Sequence, residues 1–276
     1  MAIKVIIMDI DGTLVNDEKV ITPLTKETLL KAQDKGVRLV LASGRPTSGL
    51  LKLAEELDME NHHGLFVCFN GSNCQSHETL YNHAISVEDS KAILEHLKNF
   101  KARPMFDKDE YMYVNDVFDN TITYKGKPFN VMQYESRGNN YILCEKRDLA
   151  AFVDFEINKI LTFGDPDYLQ AHYKEMMEPF KDRLNCMFTS DFYFEFTAKG
   201  VDKAKALDSV LIPMGYKKEE MMAFGDAQND KSMVEYVGLG VAMGNASDEL
   251  KAVANEITDT NNNDGIAKAI MKHLEL

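Results

Sequence analysis

The sequence lacks the marks of several protein classes. No apolar run approaches the length of about 18 residues that a membrane-spanning helix needs, so we expect none. The apolar stretch at the start is short and is followed at once by acidic residues, so we also expect no signal peptide. No Cys-x-x-Cys pair occurs, which argues against a zinc site and a disulfide framework. We therefore expect a cytoplasmic protein with reduced thiols at Cys68, Cys74, Cys144 and Cys186.

Positive charge is scarce as well. The chain has 31 Lys and Arg residues against 44 Asp and Glu residues, which gives a formal net charge of −13. Nucleic acids and anionic membrane surfaces are bound through basic patches, so neither is expected as a main partner. The composition leaves the oligomeric state open.

Several familiar motifs are also missing. Neither Gly-x-x-x-x-Gly-Lys nor Gly-x-Ser-x-Gly occurs, so a P-loop nucleotide site or a serine hydrolase is unsupported. The glycines between Gly238 and Gly244 have the wrong spacing for a dinucleotide-binding loop. An EF-hand calcium loop beginning at Asp9 would need glycine where Leu14 stands.

Strand and helix patterns alternate at both ends of the chain. Residues 3–8 form a short apolar, β-branched run, which is typical of a strand buried on both faces. Further strands are predicted at 37–42 and 65–69, each preceded by a helix, and this βαβαβ order implies a parallel sheet. The same alternation resumes after residue 200, with strands predicted at 221–224 and 239–243.

The middle of the chain has a different character. Residues 83–192 are richer in Tyr, Phe and Met and hold short strand-like pieces, which predicts an α+β domain. This domain is inserted into an α/β core that is split between residues 1–82 and 193–276. Linkers are expected at 83–85 and 191–194, and closure of the insert over the site would exclude bulk water.

Polar residues follow three of the predicted core strands. They are Asp9 and Asp11, Ser43 to Arg45, and Asp226 to Asp230. The carboxyl ends of parallel strands form the ligand-binding edge of an open α/β sheet, so these groups would meet there. Carboxylates that lie close together repel one another unless a cation lies between them. Carboxylate oxygens are hard ligands, which favour Mg²⁺. One Asp could then attack phosphorus while another acts as acid and base, although Asp and Gly alone also favour plain turns.

The order of these motifs resembles that of a known family. The motifs are Asp9-x-Asp11-Gly-Thr, Ser43-Gly-Arg-Pro, Lys199-Gly-Val-Asp-Lys203 and Gly225-Asp226-Ala-Gln-Asn229-Asp230. The sequence resembles the haloacid dehalogenase (HAD) superfamily, and within it the Cof-type (type IIB) sugar phosphatases of the YidA-like group. This resemblance implies an HAD-like Rossmannoid parallel-sheet core with an inserted α+β cap domain of the C2B type.

The resemblance also implies a role for each residue. Asp9 is the expected nucleophile and a metal ligand. Asp11 is the expected general acid and base, with its main-chain carbonyl on Mg²⁺, and Asp226 is the third metal ligand. The expected phosphate- and substrate-binding groups are the amides of Ile10, Asp11 and Gly44, and the side chains of Ser43, Arg45, Lys203 and Asn229. Asp230 and Asn70 are expected behind these groups, with Asp230 orienting a water or Lys203.

Some of these residues have simpler interpretations. Ser43 could be the N-cap of the following helix, and Asp230 could cap the helix that it opens. Lys203 could be an ordinary exposed lysine, in which case Lys199 is the alternative site lysine.

The resemblance predicts a Mg²⁺-dependent phosphoric monoester hydrolase. Its expected substrates are small phosphorylated metabolites, with sugar phosphates as the favoured class, and the expected intermediate is an aspartyl-phosphate. A phosphomutase would use the same intermediate, but the insert after the third strand favours hydrolysis. A phospho-acceptor regulatory domain also pairs acids with a lysine and Mg²⁺, yet it lacks an insert of this size.

Overall fold

The computed structural model describes residues 2–274; the first residue and the last two, at the ends of the predicted core, lie outside that range. The described strands are β1 Val5–Met8, β2 Arg38–Ala42, β3 Leu65–Cys68, β4 Asn73–Gln75, β5 Thr79–Asn82, β6 Arg103–Lys108, β7 Tyr111–Val114, β8 Thr121–Tyr124, β9 Lys127–Asn130, β10 Ile142–Glu145, β11 Lys159–Phe163, β12 Leu184–Ser190, β13 Tyr193–Ala198, β14 Met221–Gly225, β15 Leu239–Ala242 and β16 Glu256–Ile257. The described α-helices are α1 Pro23–Asp34, α2 Leu51–Glu56, α3 Val87–Leu97, α4 Val131–Gly138, α5 Leu149–Phe152, α6 Pro166–Met177, α7 Lys203–Leu211, α8 Lys231–Tyr236, α9 Asp248–Lys251 and α10 Gly265–His273. None of the helices in residues 2–274 has the length and apolarity needed to cross a membrane.

The chain divides into two units. Residues 2–82 and 202–274 form the first unit, and residues 83–201 form the second. The second boundary lies later than the predicted one at 192/193, and residues 191–194 are not a linker. The reason is that β13 pairs with β11 and β12 in the sheet of the second unit. Its apolar run would suit a buried strand of either unit, so composition could not assign it.

The first unit is built on an eight-stranded sheet in the order β16-β15-β14-β1-β2-β3-β4-β5. The strands from β16 to β3 are parallel to their neighbours, whereas β4 and β5 pair antiparallel. In the central strand β1, Ile6 and Met8 join an apolar cluster with α1 and α10. Val5 and Ile7 join a second cluster with α7 and α8. The predicted α/β core with a parallel sheet is therefore confirmed.

The second unit contains a six-stranded sheet in the order β10-β7-β6-β11-β13-β12 and the hairpin β8–β9. Phe106 and Ile160 pack with α3, α5 and α6 in one apolar cluster. Met105 and Leu161 pack with β8 and α4 in another. The sheet is thus covered by helices on one face and by a hairpin and a helix on the other, which confirms an α+β insert.

Candidate active site

The site residues lie at the carboxyl edge of the first unit's sheet. Strand β1 lies between β2 and β14, with Met8 opposite Leu41 on one side and Phe224 on the other. All three strands are parallel, so the residues that follow them emerge at the same edge. These residues are Asp9 after β1, Ser43 after β2 and Asp226 after β14.

Lys203 is the buried cation of this edge. Its Nζ donates to Oδ1 of Asp9 at 2.7 Å, to Oδ1 of Asp230 at 2.6 Å and to the Ala42 carbonyl at 2.9 Å. The residue is only 1% exposed. Burial lowers the pKa of Lys203, but the Asp9 and Asp230 carboxylates outweigh it and raise the pKa above its usual value. The ammonium therefore stays charged.

Lys203 occupies its place because of the start of α7. The side chain of Asp202 caps this helix by accepting the Lys205 amide at 3.0 Å, which makes Lys203 the first helical residue. The alternative lysine, Lys199, is exposed, and its Nζ donates to the Asp182 carbonyl in the second unit at 2.6 Å. Of these two lysines, the structure brings Lys203 to the acids.

Asp230 holds the loop after β14. Its Oδ2 accepts the amides of Asp226 at 3.0 Å and Ala227 at 3.1 Å, while its Oδ1 accepts Lys203. Both carboxylate oxygens are thus used within the protein, one on Lys203 and the other on the loop amides. Asp230 is the N-cap residue of α8, but its side chain makes no cap hydrogen bond to that helix, so the alternative of a helix-capping side chain is wrong.

Asp226 is fixed by the motif that follows β1. Thr13 Oγ1 donates to Oδ1 of Asp226 at 2.9 Å. Gly12 has φ +83°, and a Cβ built on it would overlap Oδ2 of Asp226. Thr13 was not predicted as a site residue, although it belongs to the Asp9-x-Asp11-Gly-Thr motif.

Three acids lie together at this edge. Asp9, Asp226 and Asp230 each place one carboxylate oxygen within 4.8 Å of the other two. Burial is the main cause that raises the pKa of Asp9 to about 7 and that of Asp226 to about 6, and Asp230 acts in the same direction. Three acids share one buried ammonium, so the cluster has excess negative charge.

The donor set of this cluster fits a hard divalent cation. Lys203 and Thr13 each donate to an Oδ1 atom. Among the hydrogen bonds of the described residues, none reaches Oδ2 of Asp9 or Oδ2 of Asp226, so one oxygen of each is available to a metal. A few carboxylate oxygens completed by water are the ligands that Mg²⁺ prefers.

Asp11 lies apart from this acidic cluster. Its exposed carboxylate accepts Nε and Nη2 of Arg45 at 2.8 and 2.7 Å, and Nζ of Lys19 at 2.8 Å. Partial burial raises the pKa of Asp11, but the hydrogen bonds from Arg45 and Lys19 outweigh it and bring the pKa below its usual value. Lys19 was not predicted as a site residue, because its contact with Asp11 depends on how the loop between them folds.

The loops after β2 and β3 hold the remaining predicted residues. Ser43 is buried, and its Oγ accepts the Arg45 amide at 3.2 Å, so it forms a turn and does not cap a helix. Asn70 has φ +56°, and its Oδ1 accepts Nδ2 of Asn229 at 3.1 Å. A Cβ on Gly44 would lie 3.2 Å from the Asn70 side chain, so these loops touch.

The Ile10 main chain takes part in the turn after β1. Its carbonyl accepts the amides of Thr13 at 3.3 Å and Val15 at 3.1 Å, and its side chain is fully buried. These bonds fix the peptide unit that joins Ile10 to Asp11.

A polar loop near the carboxyl end of the chain fastens residues 11–20. Asn261 Nδ2 donates to the Val15 carbonyl at 3.0 Å, and Asn262 Nδ2 donates to Oδ2 of Asp17 at 3.0 Å. Asn245 Nδ2 donates to the Gly12 carbonyl at 2.8 Å. These asparagines were missed by sequence reasoning. The polar run at 260–264 was a signal for Asn261 and Asn262, and Asn245 had none.

Comparison with known proteins identifies the family of this chain. The sequence matches the family of haloacid dehalogenase-like hydrolases over residues 6–270. It is 32% identical to the 5-amino-6-(5-phospho-D-ribitylamino)uracil phosphatase YcsE of Bacillus subtilis, over 97% of this chain and 94% of the relative.

Solved structures of haloacid dehalogenase-like proteins have the same fold. A haloacid dehalogenase-like hydrolase from Bacteroides thetaiotaomicron superposes with a TM-score of 0.90 at 32% identity, covering 99% of this chain and 100% of the other. The HAD subclass IIB sugar phosphatase BT4131 superposes with a TM-score of 0.76 at 29% identity, covering 98% of both chains. This chain therefore belongs to the haloacid dehalogenase-like hydrolases and is an enzyme of their phosphatase type.

Proposed function

We propose that this protein is a Mg²⁺-dependent phosphatase that hydrolyses small phosphorylated metabolites, sugar phosphates in particular, through an aspartyl-phosphate on Asp9. The observation that carries the proposal is the meeting of Asp9 and Asp226, whose carboxylate oxygens lie within 4.8 Å of each other beside the buried Lys203. An acidic pair of this kind, next to a fixed ammonium, suits a metal and a phosphate together.

Asp9, Asp226 and the main-chain carbonyl of Asp11 would hold the metal. When bound, Mg²⁺ would screen the repulsion between the Asp9 carboxylate and the phosphate oxygens. Lys203 keeps Asp9 in place through Oδ1 and adds a positive charge beside the phosphate.

Asp9 and Asp11 have separate roles in the proposed reaction. Asp9 attacks phosphorus, and the bond from phosphorus to the substrate's alcohol oxygen breaks while Asp11 protonates that oxygen. Asp11 then takes a proton from the water that attacks the aspartyl-phosphate, which releases inorganic phosphate and restores Asp9.

The neighbouring loops would bind the phosphate. Ile10 follows Asp9 and Asn229 follows Asp226 closely in the sequence, whereas Ser43 and Gly44 come directly after β2, the strand that pairs with β1. The amides of Ile10 and Gly44, the Ser43 hydroxyl and the Asn229 side chain are hydrogen-bonding groups that suit phosphate oxygens. Arg45 is the remaining candidate, although its guanidinium contacts Asp11. Asp230 and Asn70 support Lys203 and Asn229 respectively.

The names of two relatives support the proposed substrate class. The name of YcsE describes a phosphatase of a phosphorylated ribityl compound, and that of BT4131 a sugar phosphatase. Both names describe phosphate esters of small polyhydroxy compounds. On this basis we propose that the present enzyme also takes phosphate esters of sugars or sugar alcohols.

The proposal is tested with purified protein and a panel of phosphorylated sugars, sugar alcohols and p-nitrophenyl phosphate. Phosphate release should require Mg²⁺ and stop with EDTA. Asp9→Asn should lose activity by about 1,000-fold or more while circular dichroism shows that the fold is retained, since the amide is not a nucleophile.

Asp34→Asn is the matched control, because the Asp34 side chain is 75% exposed at the end of α1. Acid-quenched wild-type enzyme should carry a phosphoryl group on the peptide that contains Asp9. Full activity of Asp9→Asn, or activity that survives EDTA, would contradict the proposed mechanism. Isomerisation of a sugar phosphate in place of phosphate release would favour the phosphomutase.

A further inference from the structure

Two cationic side chains, those of Arg45 and Lys19, bind the Asp11 carboxylate. Arg45 binds both oxygens, with Nε on Oδ2 at 2.8 Å and Nη2 on Oδ1 at 2.7 Å, and Lys19 Nζ adds a third bond to Oδ1 at 2.8 Å. We call Lys19 and Arg45 the cationic clamp. A bidentate guanidinium restricts both the position and the plane of a carboxylate, which a single ammonium cannot do.

Arg45 is itself held on both sides. Its amide donates to Ser43 Oγ at 3.2 Å, and its carbonyl accepts the Phe69 amide at 3.1 Å. The side chain is only 29% exposed. The guanidinium is therefore attached to a main chain that the loops after β2 and β3 fix, so it can define where Asp11 points.

Lys19 adopts an uncommon backbone conformation. Its φ is +62°, in the left-handed region that favours glycine, and its amide donates to the Asn16 carbonyl at 2.9 Å to close the turn. Asn261 and Asn262 fasten the same loop through Val15 and Asp17. This turn brings the Lys19 ammonium to Asp11.

The clamp leaves the two carboxylate oxygens unequal. Oδ1 accepts both Arg45 Nη2 and Lys19 Nζ, whereas Oδ2 accepts Arg45 Nε alone among the described residues. A carboxylate has about four acceptor positions, two on each oxygen. The position that remains is on Oδ2.

We propose that Lys19 and Arg45 are positioning residues that orient Asp11 so that its Oδ2 exchanges the catalytic proton. In the first step this proton passes from Oδ2 to the alcohol oxygen as the phosphorus–oxygen bond breaks. In the second, Oδ2 takes a proton from water as the water oxygen bonds to phosphorus and the bond to Asp9 breaks. The inference rests on the proposed function, because it assigns Asp11 the acid and base role.

The test compares leaving groups. p-Nitrophenolate leaves without protonation, whereas the alcohol of ribose 5-phosphate, or of the best alkyl phosphate in the panel, needs a proton. The readout is the ratio of kcat/KM for the alkyl ester to that for p-nitrophenyl phosphate, with kcat and KM determined separately. Loss of the Arg45 charge by itself would let the pKa of Asp11 rise and favour its protonated form, so a fall in the ratio reports the loss of orientation. Arg45→Gln should lower this ratio about 10- to 100-fold, towards the value for Asp11→Asn, and a raised ratio would refute the inference.

Lys19 should have a smaller effect because its ion pair is exposed. Lys19→Gln should lower the ratio about 2- to 5-fold, and Lys19→Arg should restore it. Lys19→Gly relieves the backbone strain, so it should fold at least as stably as the wild type and still lower the ratio. This variant separates loss of the ammonium from damage to the loop.

A double variant tests whether the clamp acts through Asp11. In an Asp11→Asn background, Arg45→Gln should cause no further fall in the ratio. If the clamp variants raise KM for both esters and leave the ratio unchanged, they bind substrate directly and the inference is wrong. A wild type that releases no phosphate from any ester would refute the proposed function instead, so the two failures are distinguishable.

Discussion

At the scale of single residues, the site depends on one buried ammonium between carboxylates. Lys203 contacts Asp9 and Asp230, and the side chains of Lys203 and Asp230 are fully buried. Buried ions are costly to transfer from water, and their mutual attraction only offsets this cost while every partner is present. Removal of the ammonium therefore leaves two buried carboxylates uncompensated.

We expect Lys203→Met to lower the free energy of unfolding by about 3–5 kcal/mol in metal-free buffer, because the acids lose their cation. Urea denaturation measures this change. Lys205→Met, two residues further along α7 and exposed, is the matched control and should stay within about 0.5 kcal/mol of wild type. Equal effects of the two substitutions would contradict the role of the buried pair.

Gly12 and Gly36 have nearly the same φ, so a comparison of the two distinguishes backbone strain from a steric clash with a neighbouring side chain. Gly12 has φ +83° and Gly36 has φ +85°, but only a Cβ on Gly12 would overlap a side chain, that of Asp226. We expect Gly36→Ala to cost about 1–2 kcal/mol of stability without loss of activity. Gly12→Ala should also displace Asp226 and lower kcat/KM about 100-fold.

Activity assays and urea denaturation of both variants check this. If Gly12→Ala kept wild-type activity and Mg²⁺ dependence, Asp226 would not need the position that the structure gives it.

At the scale of elements, the 11–20 loop depends on a second loop from far along the chain. Asn261 is buried and donates to the Val15 carbonyl and, at 3.3 Å, to Asp17 Oδ1. The backbone of the 11–20 loop therefore has part of its hydrogen bonding supplied from outside itself. The 11–20 loop should therefore become more mobile when the Asn261 hydrogen bonds are removed.

We expect Asn261→Ala to increase amide hydrogen exchange in residues 15–20 and to lower kcat, since Lys19 loses its fixed position. Asn263→Ala is the control, because Asn263 Nδ2 contacts Asp259 and not the 11–20 loop. Mass-spectrometric exchange and steady-state kinetics are the measurements. Unchanged exchange in residues 15–20 would show that the loop is held by its own turn.

The sheet of the second unit contains a titrating acid. Burial raises the pKa of Asp107 in β6 to about 6, against the opposing effect of Lys159. In the unfolded chain Asp titrates near about 3.9, so between about pH 4 and pH 6 only the folded state keeps this proton. The free energy of unfolding of the second unit should therefore fall as the pH rises through that window.

Asp107→Asn should flatten this dependence, which hydrogen exchange of the second unit at several pH values would reveal. Asp109→Asn is the matched control, since Asp109 is exposed in the turn after β6 and asparagine tolerates its φ of +55°. A steep fall that persists in Asp107→Asn would assign the titration to another group.

At the scale of the whole molecule, the buried apolar residues fall into separate cores. The four clusters of the described residues each lie within one unit. Each unit therefore has its own source of hydrophobic stabilisation, and a cavity in one core should weaken that unit first.

Phe224→Ala and Phe163→Ala form a matched pair for this expectation. Both phenylalanines are fully buried, Phe224 in β14 of the first unit and Phe163 in β11 of the second. Each substitution should cost its own unit about 3–5 kcal/mol, seen as lost amide protection confined to that unit. Protection lost equally in both units would mean that they unfold as one.

The sequence predicted the parts of this molecule that depend on local patterns. Asp9 and Asp226 were predictable because each follows an apolar run that must be a buried strand, and parallel strands end at one edge. The domain boundary after β13 was not predictable, since an apolar strand fits the core of either unit. The contacts of Lys19 with Asp11 and of Asn261 with Val15 were not predictable either, because they depend on how the loops fold.

The order of the site along the chain has a consequence for synthesis. The nucleophile candidate Asp9 is translated early, whereas Lys203 and Asp226 come after the whole insert. The central strand β1 must wait for β14 before it gains its second neighbour. A chain that is cut short within the insert thus has the proposed nucleophile Asp9 but lacks the Lys203 ammonium and the proposed metal ligand Asp226, so we expect incomplete copies to be inactive.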